Sequence, residues 1–493
     1  MKLWRWTLLA LALTAALVLA VVLVRTLMLS SLWKPAVTHE LAPSPRIDAQ
    51  RAALRLGQAI RFPTVSREQG KVDNPDAFRD LRAFLKSTYP RVHRAMTRER
   101  IEDLSLLYTL PGSDPSLEPI LLLAHQDVVP VESGTEQAWE APPFAGEIHD
   151  GFVYGRGAFD NKGSLIAIFE AMEALLEQGF SPRRTILLAF GHDEEVMGSG
   201  AEATARTLQE KGVKPWFVLD EGAVVLQDLP MTGEPAALIG IAEKGYLTVR
   251  VTAHGPGGHA SMPPSDSATE RLSRAILAIR GQPFSGGFDT GPAGLMLQTL
   301  APQLGFLARA VIANRWLFEP LLISGTASTP AGNALLRTTI APTLLSAGTK
   351  PNVIPQEATA FLNLRIHPRD SVDDALEHMR HSVADIEGIE VETYGRFSEP
   401  SPISSVDNDA YSLLVAVAGV HAPEGAPVVP ALVLAATDSR FYAPIARDVY
   451  RFAPVWMPQA ELERVHGTGE RLSVEDLGRL IGFYAQLIET GAR

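Results

Sequence analysis

The sequence predicts an α/β protein with a mostly parallel sheet, interrupted by an inserted α+β lid, behind one N-terminal membrane helix. Three observations carry this. Short apolar runs alternate with helix-period segments between 119 and 220; the pattern changes near Gly245 and returns after Ser405; and Trp6 to Val24 is a 19-residue stretch without a charge. At 493 residues the chain exceeds what one hydrophobic core usually holds, so more than one domain is expected.

From Trp6 to Val24 the chain is rich in Leu, Ala and Val and is preceded by Lys2 and Arg5. As a helix rising about 1.5 Å per residue, this run nearly matches a hydrocarbon core of about 30 Å. The expected reading is an anchor and linker over 1–40, partnered by a lipid bilayer, with the remainder on the extracytoplasmic side. Lys2 and Arg5 stay inside, although Arg25 and Lys34 weaken the asymmetry. Secretion after cleavage at Val18-Leu19-Ala20 is the alternative, but Val21 to Val24 carry the apolar run past that point.

Residues 45–243 read as the first part of a catalytic domain. Ile120 to Ala124, Thr185 to Phe190 and Trp216 to Leu219 suit buried strands, and Leu165 to Gln178 suits a helix closed by Gly179. Residues 244–404 read as the lid. Tyr246 to His254 alternates like a half-exposed strand, Ser267-x-x-Glu270 opens a helix as a capping box, and Ala358 to Ile366 is a second strand. Between these, Gly287 to Lys350 is apolar with helical period; Leu295 to Leu322, with Trp316, Leu317 and Phe318, reads as lid core, an acyl-chain surface being the alternative. Residues 405–493 complete the catalytic domain, with strands at Val428 to Leu434 and Val449 to Val455 and a final helix opened by Ser473-x-x-Asp476.

A formal charge of −12 without a basic stripe argues against nucleic acid as a partner. Cysteine is absent, which excludes disulfides, thiolate metal sites and a Cys nucleophile. No Gly-x-Ser-x-Gly elbow suggests a serine hydrolase.

The chemistry concentrates at strand ends, where open α/β sheets collect ligands. His125 and Asp127 follow the first apolar run two residues apart, so the carboxylate can orient the imidazole. Asp160 lies in a glycine-punctuated loop before a helix. Gly191-His192-Asp193-Glu194-Glu195 follows the next strand directly, and successive acids there are costly to bury without a cation. Asp220 repeats the design after Leu219. Jointly these residues predict a metal site built from His, Asp and Glu. His93, His149, His367, His378, His381 and His421 lack matching partners, His254 reads as structural, and His192 has no assigned role beyond a place beside the acids.

The ordered motifs His125-Gln-Asp127, Gly155-Arg-Gly-Ala-Phe-Asp160-Asn-Lys-Gly163, Gly191-His-Asp-Glu194-Glu195, Leu219-Asp220-Glu221-Gly222, Gly257-Gly258-His259-Ala260-Ser261 and Val465-His466-Gly467 resemble the di-zinc aminoacylase and carboxypeptidase family. The likeness runs from about Pro45 to the C-terminus. With Asn352-Val-Ile-Pro355 it looks most like the carboxypeptidase S branch, which includes enzymes that make or break N-fatty-acyl amino acids. The resemblance implies a zinc-exopeptidase fold and two zinc ions bridged by Asp160. His125 and Asp220 would complete one site, Glu195 and His466 the other. It further implies Glu194 as general base, Asp127 as the group orienting His125, His259 as the oxyanion stabiliser, and Arg365 and Asn352 as grips on substrate. A cis Asp160-Asn161 peptide bond and a homodimer are also within the expectation. The Thr437-Asp438-Ser439-Arg440 segment resembles a family stretch near the active site, a plain helix start being the alternative. The function implied is hydrolysis of an amide next to a free carboxylate, in a short peptide or an N-acyl amino acid. A membrane-anchored binding protein that has lost the chemistry is the competing reading.

Overall fold

Apolar runs too short and too continuous for amphipathic helices form the centre of a ten-stranded sheet among the described residues. The structure, a computed structural model, describes residues 2–32, 39–68, 71–288 and 291–493. The chain divides into two compact units, Ala36–Ala242 with Pro402–Arg493, and Met1–Pro35 with Glu243–Ser401.

In the first of these units the strands Val449–Arg451, Phe217–Asp220, Ile120–His125 and Ile186–Gly191 lie side by side and parallel. Every residue of the last three is buried, which is why their sequences do not alternate. Antiparallel strands flank this centre, Ser105–Leu110 and Thr97–Ile101 on one side and Ala236–Glu243 on the other. The register sets His125 opposite Gly191 and Asp220 opposite Arg451, while Leu122 faces Leu219, so the carboxyl ends of the parallel strands lie within two residues of one another. The helix Lys162–Glu177 packs against the final helix Val474–Gly491, which Ser473 caps through the Asp476 amide. Gly179 has φ 81° just after the first of them, as a left-handed C-cap requires. The strand expected over Val449 to Val455 stops at Arg451.

In the second unit, Gly245–His254 and Glu357–Ile366 pair antiparallel along their whole length, flanked by Thr339–Ala347 and Ile389–Thr393. The buried residues of the two central strands share one apolar core with the helices Ala268–Gly281 and Val372–Ser382. Both bonds of the Ser267/Glu270 capping box are present.

The expectation of a helical period over Gly287 to Lys350 needs correction at its end. Helices occupy Pro292–Leu300, Phe306–Ala313, Arg315–Thr326 and Pro330–Leu336, after which the chain turns into the strand Thr339–Ala347. Thr338, Thr339, Ile340 and Thr343 favour extended backbone, and Pro342 sits where the register shifts, at a position that would break a helix. The apolar stretch Leu295 to Leu322 also divides. Leu297 and Ile312 join a small core with Phe288 and Leu336, whereas Trp316, Leu317 and Leu321 are exposed. The N-terminal helix Lys2–Leu32 contains one span, Trp4–Leu29, long and apolar enough to cross a membrane. Lys34 and most of the expected linker, 33–38, lie outside the described residues.

Leu122 sits mid-strand at the centre of the parallel sheet with no exposed surface. Leu122→Ala should destabilise this unit by about 2–5 kcal/mol, seen as a lower denaturant midpoint; an unchanged midpoint would mean the centre of the sheet is not packed as described.

Candidate metal centre

Three strand ends, a glycine loop and a segment from near the C-terminus bring five ligand-type side chains together. His125, the last residue of its strand, points Nε2 at Asp160 Oδ1 and Glu221 Oε1, each at 3.0 Å. His466 Nε2 lies 3.0 Å from Asp160 Oδ2 and 3.1 Å from Glu195 Oε2. Within each of the trios His125, Asp160, Glu221 and Asp160, Glu195, His466, the ligand atoms lie within 4.8 Å of one another. Asp160 belongs to both trios and gives one oxygen to each.

The surrounding backbone explains how these charges are held. Asp127 is fully buried, and its carboxylate accepts from the amides of Glu194 (3.1 Å) and Glu195 (3.3 Å) while Oδ1 lies 3.3 Å from His125 Nδ1. One residue thus orients the imidazole, whose Nδ1 bonds the Asp127 carbonyl at 3.0 Å, and fixes the turn that carries the two glutamates. Asp193 does a different job: it accepts from the amides of Ser199 (2.9 Å) and Gly200 (2.8 Å) and from the Ser199 hydroxyl, tying down the start of the helix Ser199–Glu210. The three successive acids therefore divide into a helix tie, a free carboxyl and a ligand-type carboxyl.

The loop bearing Asp160 hangs on Glu470, a buried residue that the sequence reading passed over. Its Oε1 accepts from the amides of Gly157, Phe159 and Asp160, all at 3.0 Å, and its Oε2 is paired with Arg156 at 2.7 Å. Gly155 and Gly157, at φ 143° and 86°, provide the left-handed path this wrap needs. Arg156 also donates to the carbonyls of His466 (3.0 Å) and Gly467 (3.2 Å). His466 is held at φ 61°, a conformation that costs a non-glycine residue about 1–3 kcal/mol and persists where its surroundings enforce it. The Asp160–Asn161 bond is cis, as the resemblance implies, and the Asn161 amide donates to Glu221.

One expected ligand is displaced. Asp220 is not in either trio; its Oδ1 accepts from the Glu221 amide and its Oδ2 from the Ser439 amide, both at 2.9 Å. Glu221, one residue beyond the strand end, stands in the trio with His125 and Asp160. Asp438, next to Ser439, has a buried carboxylate wedged against backbone: a Cβ on Gly191 or on Gly198 would collide with its oxygens. His192 bonds Ser105 through Nδ1 at 2.7 Å and belongs to neither trio.

Electrostatics follow from burial. Burial, then the Asp160 charge, pushes Glu195 and Glu221 each up to about 7. Glu194 is raised well above the carboxylate range by burial and by Asp438, Glu195 and Glu221, against the pull of His125. Burial opposes the charge on Asp160, yet His125 and His466 hold it below the usual range. His466 rises to about 10 on its bonds to Asp160 and Glu195. Such a cluster has more acid than its two imidazoles balance, and Glu195 Oε1 is buried without a hydrogen-bond partner among the described residues. An oxygen and nitrogen donor set of this kind fits a divalent cation such as zinc. A pocket of about 330 Å³ opens on the cluster, lined by Asp160, Glu194, Glu195, Glu221 and His466 on one side and by apolar residues including Val224, Ala453, Val455 and Leu462.

The remaining expected residues lie in the second unit. The strand Gly258–His259 pairs with Val353–Ile354, and the Ala260 amide donates to Asn352 O at 3.1 Å, so His259 and Asn352 are neighbours on one ribbon. His259 is exposed, with Nδ1 2.7 Å from Ser261 Oγ. Arg365 stands apart from them on the four-stranded sheet, its guanidinium 5.0 Å above the Tyr246 ring.

A partly parallel α/β sheet whose strand ends gather His, Asp and Glu around a shared carboxylate defines a metallohydrolase. The chain belongs to peptidase family M20/M25/M40, whose model matches residues 121–490. It is 37% identical over 492 residues to the N-fatty-acyl-amino acid synthase/hydrolase PM20D1 of Xenopus tropicalis, covering 98% of this chain and 94% of that one. It is 30% identical over 481 residues to carboxypeptidase S of Saccharomyces cerevisiae, covering 88% and 83%. The M20 family metallo-carboxypeptidase Sso-CP2 of Sulfolobus solfataricus shares the fold, with a TM-score of 0.62 at 18% identity over 90% of this chain and 99% of that one.

The exchange of Asp220 for Glu221 is open to direct measurement. Glu221→Gln should lower metal content, with partial recovery in excess zinc. Asp220→Asn should keep the metal content near that of the unaltered protein. The reverse pattern in elemental analysis would restore Asp220 as the ligand.

Proposed function

We propose that the protein hydrolyses an amide bond next to a free carboxylate, in short peptides or N-acyl amino acids, using two zinc ions. The observation that carries this reading is the division of the Asp160 carboxylate, Oδ1 towards His125 and Oδ2 towards His466. One site would be made by His125, Asp160 and Glu221, the other by Asp160, Glu195 and His466. Zinc held there supplies Lewis acidity, polarising a carbonyl and making a water acidic.

The chain's own groups do the rest. Glu194, beside Glu195 but outside both trios, is the base that takes the proton from the attacking water and returns it to the leaving nitrogen. Its raised affinity for a proton suits the second half of that task. Asp127 keeps His125 and the Glu194–Glu195 turn in one orientation. By the family resemblance, His259 stabilises the oxyanion, while Asn352 and Arg365 hold the substrate; the placement of His259 and Asn352 on one ribbon supports a shared task. The apolar wall of the pocket favours acyl amino acids over polar peptides, and PM20D1, a named relative, is an N-fatty-acyl-amino acid synthase/hydrolase. The helix span Trp4–Leu29 anchors the protein, with the catalytic residues outside the cytoplasm.

Glu194→Gln should reduce kcat by about 10²–10⁴ while leaving metal content and KM nearly unchanged, because the amide keeps the size but cannot accept the proton. Normal turnover in this variant would remove Glu194 from the mechanism. Purified, dialysed protein should contain two transition-metal ions per chain, and chelation should abolish hydrolysis of acylated amino acids. Activity that survives complete metal removal contradicts the proposal.

A further inference from the structure

The helical insertion of the second unit carries apolar side chains that its own core does not use. On the helix Phe306–Ala313, Phe306 and Leu307 are exposed, Leu307 at 80%. On the next helix, Arg315–Thr326, no residue is buried, and Trp316, Leu317 and Leu321 are exposed, Leu321 at 66%. Between Gly305 and Thr326 the charged residues are Arg309, Arg315 and Glu319.

These helices are attached to the N-terminal helix at one level. Asn314, wholly buried at their junction, donates to Val22 O at 3.2 Å and approaches Thr26 Oγ1 at 3.4 Å. Arg25 Nε donates to Ala313 O at 3.1 Å, Thr26 is 1% exposed, and Leu29 packs on the core of the insertion. The earlier part of the helix is bare, with Leu11, Leu13, Leu17 and Leu19 exposed. At about 1.5 Å per residue, the uncharged run Trp6 to Val24 spans about 27 Å, close to the roughly 30 Å of a bilayer's hydrocarbon core. The junction at Val22–Thr26 therefore falls where the helix leaves the hydrocarbon on the far side.

We propose that the helices Phe306–Ala313 and Arg315–Thr326 form a second membrane contact, lying in the interface of the leaflet from which the anchor emerges. This rests on the reading of Trp4–Leu29 as an anchor. The chemistry matches that layer: Trp316 suits the headgroup boundary, Phe306, Leu307, Leu317 and Leu321 suit the upper acyl region, and the exposed Arg25 at the junction suits a lipid phosphate. The contact holds the inserted unit at the depth where long-chain acyl amino acids partition, so the protein draws such substrates from the leaflet rather than from bulk water.

The absence of cysteine permits one spin label at a time on the full chain, reconstituted in vesicles of phosphatidylcholine and phosphatidylglycerol. Labels are placed through Leu13→Cys in the bare anchor, Leu307→Cys and Leu321→Cys on the proposed contact, and Leu277→Cys, 72% exposed on Ala268–Gly281, as a control. Relaxation by oxygen, which concentrates in lipid, is compared with relaxation by water-soluble chromium oxalate. Oxygen should dominate at positions 13, 307 and 321, and the oxalate at 277. If position 13 reads as lipid while 307 and 321 read as water, the contact is refuted and the anchor stands. A watery reading at 13 defeats the anchor and the contact with it. Labels at 307 or 321 broadened by a label on another chain would mean that a second copy covers the face, which also overturns the proposal. The double variant Leu307→Glu, Leu321→Glu should lose turnover of long-chain acyl amino acids in vesicles several-fold while keeping that of a short, soluble acyl amino acid. Equal turnover of the long-chain substrate would refute the supply from the leaflet.

Discussion

Mutual repulsion among Asp160, Glu194, Glu195 and Glu221 is the constraint on which the rest of the site depends. Carboxylates gathered this closely in a poorly solvated pocket raise one another's proton affinity, as Glu195 and Glu221 show. The chain answers by satisfying three of the supporting acids elsewhere. Asp127 is met by backbone amides and an imidazole, Asp193 by a helix start, and Glu470 by three amides and Arg156. Excess negative charge is thus confined to the inner groups, where only a cation can balance it.

The parallel centre of the sheet is what makes the confinement possible. Level strand ends bring His125 and the Gly191 turn side by side, and the strand ending at Asp220 delivers Glu221 just beyond its last pleat. His466 arrives from the far end of the sequence, held in its left-handed geometry by Arg156, which also neutralises Glu470. Because one guanidinium serves both the Asp160 loop and the His466 segment, neither can settle without the other. The two sides of the site are therefore coupled through a residue that gives no ligand atom to either trio.

What could be read in the sequence was whatever a local pattern carries. Buried apolar runs located the strands, and acids placed directly after them located the site. The choice between Asp220 and Glu221 was not legible, since period-two reasoning ends with the strand. What turned Asp220 aside is the Ser439 amide, more than two hundred positions away. Glu470 was missed for a similar reason: a lone acid after Gly-Thr-Gly looks like any solvated loop residue, and only the fold reveals the three amides around it. The placement of His259 near Asn352 depends on strands of two residues each, too short to leave a period. Thr339–Ala347 was obscured because its apolar residues continue those of the helices before it, although its threonines and Pro342 were the available signal.

The Asp438 carboxylate touching the backbone of both Gly191 and Gly198 links three distant positions into one unit of sequence change. Any side chain at either glycine meets the acid, and Gly198 is further restricted by its φ of 65°. An evolving lineage must therefore shorten position 438 before Gly191 can acquire even a methyl group. The opposite order passes through a clash beside the turn that carries Glu194 and Glu195. Substitutions at these places should be strongly dependent on one another's history, with the segment before the strand Val449–Arg451 acting as gatekeeper for drift in the turn beside the candidate ligands.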